Sequence, residues 1–311
     1  MVAVSVVIPL YNKVKYIERT IMSILSQTFQ DFEIIIVDDG STDGSVEKAE
    51  TWIDERIKVL KLEHKGASAA RNKGILAATA ELITFIDADD EWKPGFLEKI
   101  IYLKDKYPEC GAYATSYEIV LPTKKKIIPS IYQTPEKWEG VFTNYVEKTL
   151  KDLPIISSAI AVRKQVFDKI GLFKEGEPLG EDQDMWLRIG MNYSIAYINE
   201  SNAIYYRGLE NSVCMDLTIL NRYPIIYSLE NLLHKEEIPY IDLYLSKLKL
   251  DYSKRLLEAN KLDSAWQELQ NTKASVYKWQ KIKLWLFYYW KKISNKYSFT
   301  QKNIIKNARK L

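Results

Sequence analysis

The first hundred residues alternate short β-branched runs with segments whose apolar residues return every three or four positions. Few architectures accept that alternation other than a mostly parallel sheet covered by helices. Val4 to Leu10 is apolar and β-branched, and Val14, Ile17, Ile21, Ile24 and Leu25 then recur at helical spacing. Glu33 to Val37 predicts a second buried strand, Ile57 to Leu62 a third and Leu82 to Ile86 a fourth. Between them are expected a helix capped by Ser41 or Thr42 and running to about Glu55, and an Ala-rich helix from Ser68 to Thr79. A further helix, Phe96 to Lys106, opens at Pro94. Open α/β sheets bind ligands beyond the carboxyl ends of their strands, so the residues that follow each run are the candidates for function.

Beyond Cys110 the pattern is mixed. Ala112 to Val120 and Ile155 to Val162 read as strands, with a short helix near Val141 to Leu150. Glu181 to Met191 reads as a helix, and Ser194 to Ile198 and Ala203 to Tyr206 as strands. From about Leu217 the chain is helical, and Lys254 to Leu269 suggests a helix pair turning at Ala259-Asn260-Lys261. With 311 residues, 47% hydrophobic and 27% charged, the chain is globular, and its net charge of +3 makes no case for nucleic acid. Cys110 and Cys214 are too few for a disulfide framework and lack metal-site spacing, which points to a reducing, cytoplasmic compartment. The N-terminus shows no basic region or cleavage site, so no secretion is expected. No apolar run is long enough to span a bilayer.

The strand ends carry the chemistry. After the first comes Pro9-Leu10-Tyr11-Asn12-Lys13, where proline should halt sheet pairing and Tyr11 offers a flat face to a base. After the second come Asp38 and Asp39, and such a carboxylate can accept the imide N–H of uracil. The alternative is a helix N-terminus decorated with acids. Lys65 to Gly74 is rich in small residues that permit close backbone approach, and Arg71 can face a phosphate bidentately. Otherwise it is an Ala-rich packing face with a surface arginine. After the fourth strand come Asp87-Ala88-Asp89-Asp90, hard oxygen donors suited to Mg²⁺ or Mn²⁺ holding a diphosphate.

Taken in order, Val6-Val7-Ile8-Pro9-Leu10-Tyr11-Asn12, Val37-Asp38-Asp39-Gly40-Ser41-Thr42-Asp43, Ala69-Ala70-Arg71-Asn72-Lys73-Gly74 and Asp87-Ala88-Asp89-Asp90 resemble family two of the nucleotide-sugar glycosyltransferases. A fifth block, Gly180-Glu181-Asp182-Gln183-Asp184-Met185-Trp186-Leu187-Arg188, matches the family's acidic pair before an aromatic-rich helix. The resemblance covers about residues 1 to 210. It implies a GT-A fold, Rossmann-like and mostly parallel, with residues 1–110 as the nucleotide-sugar half, 111–215 as the acceptor half and 216–311 as a helical extension. It implies inverting, metal-dependent transfer of a single hexosyl or N-acetylhexosaminyl unit from a nucleotide donor, UDP by the acids above, to a glycan or lipid-linked acceptor. Bacterial cell-surface polysaccharide assembly is the setting it suggests.

The same resemblance assigns roles. Pro9, Tyr11, Asn12, Asp38, Asp39, Arg71 and Asp87 fall at nucleotide-binding positions, Asp89 at the metal, and Asp182 at the general base. Glu181 and Trp186 are expected to orient the acceptor or support the helix, and Asp184, pointing away from Asp182, is the alternative base. Many relatives carry a metal-completing His after a Tyr-Arg pair. Tyr205-Tyr206-Arg207-Gly208-Leu209 has Leu209 there, and neither His64, expected to be an ordinary surface loop residue, nor His234 matches. The Gln-x-x-Arg-Trp block of processive synthases is absent, which favours single addition. A nucleotidyltransferase is disfavoured by the lack of a Gly-rich loop after the first strand. A non-catalytic nucleotide-sugar binder is the other competing reading.

The segment Lys278 to Lys292 mixes aromatics with lysines. Two readings are open: a helix lying in the headgroup layer at the cytoplasmic face of the inner membrane, or one packing its aromatics on the main domain.

Overall fold

A computed structural model describes residues 2–210, 218, 221–233, 237–273 and 277–308, with side chains described as far as residue 294. The chain divides into two compact units, Met1–Met215 and Asp216–Leu311.

In the first unit the strands are β1 (Val4–Leu10), β2 (Phe32–Asp38), β3 (Ile57–Lys61), β4 (Leu82–Phe85), β5 (Glu91–Trp92), β6 (Ala112–Val120), β7 (Lys126–Ile127), β8 (Glu139–Phe142), β9 (Ile160–Arg163) and β10 (Ile195–Tyr206). They form one sheet in the order β3-β2-β1-β4-β9-β6-β10-β5, with β7 on β6 and β8 on β10. The β3-β2-β1-β4 half is wholly parallel, and β9 is inserted antiparallel between β4 and β6. Helices α1 (Ile17–Leu25), α2 (Ser45–Glu50), α3 (Ala67–Ala77), α4 (Phe96–Lys106), α5 (Tyr145–Lys148), α6 (Lys164–Ile170) and α7 (Glu181–Asn192) connect the strands. This is the α/β architecture that the alternation predicts. Val6, Ile8, Ile34 and Ile36 are fully buried beside Ile17, Ile21 and Ile24 of α1, so the continuous apolar runs become central strands.

Several expectations need correction. Pro9 does not halt pairing, because β1 stays in register with β2 through Leu10. Val7 accepts the Ile86 N–H at 3.1 Å, and Leu10 accepts the Asp39 N–H at 2.8 Å. Pro9 shares the parity of Val7, so its missing N–H falls on the β4 side, beyond the end of that strand. Neither Ser41 nor Thr42 caps α2, which starts later, behind Gly44 at φ +90°. Val141 lies in β8, and only Tyr145–Lys148 is helical, capped by Asn144, whose Oδ1 accepts the Glu147 N–H at 3.2 Å. Residues Ser157–Ala159 form a 3₁₀ turn before β9 rather than extending it. The two strands expected between Ser194 and Tyr206 are one, with register shifts around Ser201.

The second unit contains α8 (Pro224–Leu233), α9 (Ile241–Glu258), α10 (Leu262–Gln270) and α11 (Lys278–Ala308). The turn between α9 and α10 falls where Ala259-Asn260-Lys261 predicts it, with Asn260 at φ +61°. Arg222 joins Glu230 (2.7 Å) and Glu268 (2.7 Å) across this unit. None of the described helices is long and apolar enough to cross a membrane.

Candidate active site

The site is built at the carboxyl ends of β1, β2 and β4. The loops after β1 and β2 are stitched together: Asn12 N–H donates to Ser41 Oγ (3.1 Å), and Asn12 Oδ1 accepts from Thr42 N–H (2.9 Å). Asn12 holds φ +50°, a left-handed conformation that asparagine tolerates better than most residues. Lys13 N–H donates to Ser45 Oγ at 2.7 Å. Beside this seam the half-exposed Tyr11 ring stacks on His64, centroids 4.1 Å apart. Asp39 is buried, and its two carboxylate oxygens accept the N–H groups of Lys65 and Gly66, each at 2.8 Å. His64 Nδ1 lies 2.9 Å from the same carboxylate. A carboxylate offers roughly four lone-pair positions, so Asp39 keeps acceptor capacity beside the aromatic face. The carboxylate of Asp38, also buried, accepts the Ser41 N–H at 3.3 Å.

From α3, Arg71 reaches across the strand ends. It is buried, with Nη2 donating to Asp87 Oδ1 and Nη1 to Glu181 Oε1, each at 2.8 Å. Burial opposes its charge, but the carboxylates of Asp87, Glu181 and Asp182 outweigh that cost and raise the guanidinium above its ordinary value. Glu181 and Asp182 open α7, so this one side chain ties the β4 loop to the first turn of α7. The carboxylates at 87 and 182 therefore belong to one cluster. Burial, and then the Glu181 charge, push the Asp182 carboxyl up to about 7, against the pull of Arg71. Asp182 Oδ1 accepts the Gln183 N–H at 2.7 Å. Asp184 points the other way, fully buried, and pairs with Lys174 and Arg188, each at 2.9 Å. Trp186 is fully buried against Phe85 and Phe173, so it supports α7 from the core and does not face an acceptor.

Asp89 Oδ2 lies 2.6 Å from Lys13 Nζ. Burial raises the Asp89 carboxyl above its ordinary range against the opposing pull of that ammonium. The loop is braced from below. Arg19 of α1 donates to the Asp89 carbonyl (2.6 Å) and pairs with Glu91 (2.7 Å), and its guanidinium lies 3.8 Å from the centre of the Tyr206 ring. Asp90 is buried, accepting from Ser158 Oγ (2.6 Å) and Tyr206 N–H (3.2 Å). Asp87 and Asp89 are hard-oxygen donors in the loop after β4. Among the described residues no group of three or more His, Cys, Asp and Glu is disposed to hold a metal. The donor set fits a cation that takes its other ligands from a diphosphate and water, as Mg²⁺ sites commonly do. Leu209 supplies no donor, and His234 and Cys214 lie outside the described residues.

Comparison with known proteins follows the same residues. The family model described as "Glycosyl transferase family 2" matches residues 5–171. The chain belongs to glycosyl transferase family 2. Its relatives in that family include the glycosyltransferase GlyG of Streptococcus pneumoniae, 30% identical over 229 residues, which cover 66% of this chain and 70% of GlyG. The putative teichuronic acid biosynthesis glycosyltransferase TuaG of Bacillus subtilis is 48% identical over 121 residues, 38% of this chain and 47% of TuaG. Alignments to the curated relatives span between 30% and 70% of those proteins' own lengths. Among solved structures, residues 1–349 of S. aureus TarS, in complex with UDP-GlcNAc, superpose with a TM-score of 0.67 at 18% identity, covering 96% of this chain and 92% of that one. The two share the GT-A fold.

Within this family member the sequence reasoning missed Lys13, His64, Arg19, Asp90 and Ser158 as parts of the site. His64 is exposed in its loop as expected, yet its ring stacks on Tyr11 and its Nδ1 lies 2.9 Å from the Asp39 carboxylate. Asp90 closes the acidic run Asp87-Ala88-Asp89-Asp90, and its fixed position behind the other two acids was the one signal available.

Proposed function

We propose that this chain transfers one sugar, with inversion, from a uridine-diphosphate donor to a glycan or lipid-linked acceptor of bacterial surface polymers. The observation that carries the reading is the Arg71 bridge, which joins Asp87 to the helix bearing Asp182. The acceptor hydroxyl attacks the anomeric carbon, the bond from that carbon to the diphosphate oxygen breaks, and Asp182 takes the hydroxyl proton. A base with a pKa near 7 is well matched to that task at neutral pH. Tyr11 and Asp39 supply a ring face and an acceptor for the base, in keeping with the UDP-GlcNAc held by TarS. Asp89, with Asp87, would hold Mg²⁺ or Mn²⁺, which supplies charge neutralisation for the departing diphosphate. Lys13 and Arg71 add fixed positive charge on the same side. The acceptor class rests on the polymer named for TuaG.

The test is release of nucleoside diphosphate from a panel of nucleotide sugars with Mg²⁺ or Mn²⁺, across candidate acceptors. Asp89→Ala should lose activity by roughly 10²-fold or more, because charge stabilisation at the leaving group carries that weight. Full activity in that variant removes the assignment.

A further inference from the structure

Helix α11 turns an apolar stripe away from its own unit. Tyr288 faces inward, 5% exposed, and stacks on Trp266 of α10 at 4.8 Å. Lys291 reaches the Glu258 carbonyl at the end of α9, at 3.3 Å. A helix packed this way ordinarily shows water a polar back. Here Trp279 (76% exposed), Leu286 (65%), Trp290 (62%) and Ile293 recur at seven-, four- and three-residue steps along the opposite side. Lys278 and Lys283 flank that stripe, one on each side, and both are exposed. Contiguous exposed apolar surface rimmed by polar groups marks an interaction site. Charge identifies the partner. From residue 273 to 311 the sequence has eleven Lys and Arg and no Asp or Glu, in a chain whose net charge is only +3. A second copy would set these like charges face to face, whereas an anionic bilayer neutralises them and takes in the tryptophans at headgroup level.

We infer that α11 binds the surface of anionic phospholipid membranes through the Trp279–Leu286–Trp290–Ile293 stripe, lying along the interface rather than crossing it. This inference stands independently of the catalytic reading. The test uses the full chain in flotation with phosphatidylcholine vesicles, with and without about a third of phosphatidylglycerol. Each basic residue near an anionic surface contributes roughly a fivefold gain in partitioning. The expected result is flotation with the anionic vesicles and at least about tenfold less with neutral ones. Trp279→Ser/Trp290→Ser and Lys278→Glu/Lys283→Glu should each lose at least about tenfold in anionic binding, with unchanged far-ultraviolet circular dichroism and melting temperature. Wild-type protein that stays at the bottom of the gradient, or variants that float equally well, would overturn the inference. So would a concentration-dependent dimer in sedimentation that the double tryptophan variant abolishes, since a second copy then covers the face.

Discussion

Arg71 stands between Asp87 and Glu181 with almost no exposure, so its removal leaves the nearly buried Glu181 carboxylate unpaired beside Asp87, which is 35% exposed. Arg71→Ala is expected to cost about 3–5 kcal/mol, read by urea unfolding, because breaking a buried pair leaves uncompensated charge. Arg71→Lys keeps the charge but cannot span both carboxylates, and should fall between Ala and wild type. Asp182 gives a pH signature. Its carboxyl titrates at about 7 in the fold against an ordinary 3.8, so between those values the native state holds a proton that the unfolded chain has released. That contribution to stability is present below 3.8 and declines as pH rises towards about 7. Asp182→Asn should flatten this part of the stability–pH curve, and an unchanged slope would refute the assigned shift. Asp87 and Asp89 stand out in the sequence because they follow an apolar run, whereas Asp182 stands out only through the resemblance that sets an acidic pair before an aromatic-rich helix. Lys13 does not stand out, since it meets Asp89 across 76 positions of sequence and a lone lysine in a loop has no periodic signature.

Helix α3 shows why its segment is rich in small residues. A Cβ on Gly74 would stand 2.3 Å from Val7 Cγ1 of β1, so the glycine lets the helix settle on the sheet and thereby aims Arg71 at the strand ends. Gly74→Ala is expected to cost about 1–3 kcal/mol in chemical denaturation, because overpacking must shift α3 off β1. A neutral substitution would mean that the helix position is not fixed there. The close approach is to the sheet, as the packing-face alternative predicts, although Arg71 is buried and not at the surface. Strands such as β6 were legible to the residue, because Ala112–Val120 is one uninterrupted run. The two-residue β5 and β7, and β8 at the edge of β10, were not, since their existence depends on pairing with distant strands. The polar stretch Glu200-Ser201-Asn202 made β10 look like two strands, where a register shift carries it through.

On the scale of the whole chain, the family match at 5–171 lies inside the first unit, and the site is assembled from residues 11 to 206. Long-range assembly of this kind couples ligand to stability. A nucleotide that binds only the folded chain should stabilise it by about 2.7 kcal/mol at a hundred times its dissociation constant. Adding UDP with Mn²⁺ is therefore expected to raise the melting temperature, and EDTA to remove most of that gain, in differential scanning calorimetry. An equal shift with EDTA would exclude a cation shared with the diphosphate. The central claim is that one carboxylate, Asp182, draws the proton from the acceptor, and the pH dependence of sugar transfer tests it most directly. Wild-type kcat/KM should rise about tenfold per pH unit below about 7 and level above it, while Asp182→Asn falls by at least roughly 10²-fold and shows no inflection. An Asp182→Asn protein that keeps the inflection, or that turns over within a few-fold of wild type, would contradict the account.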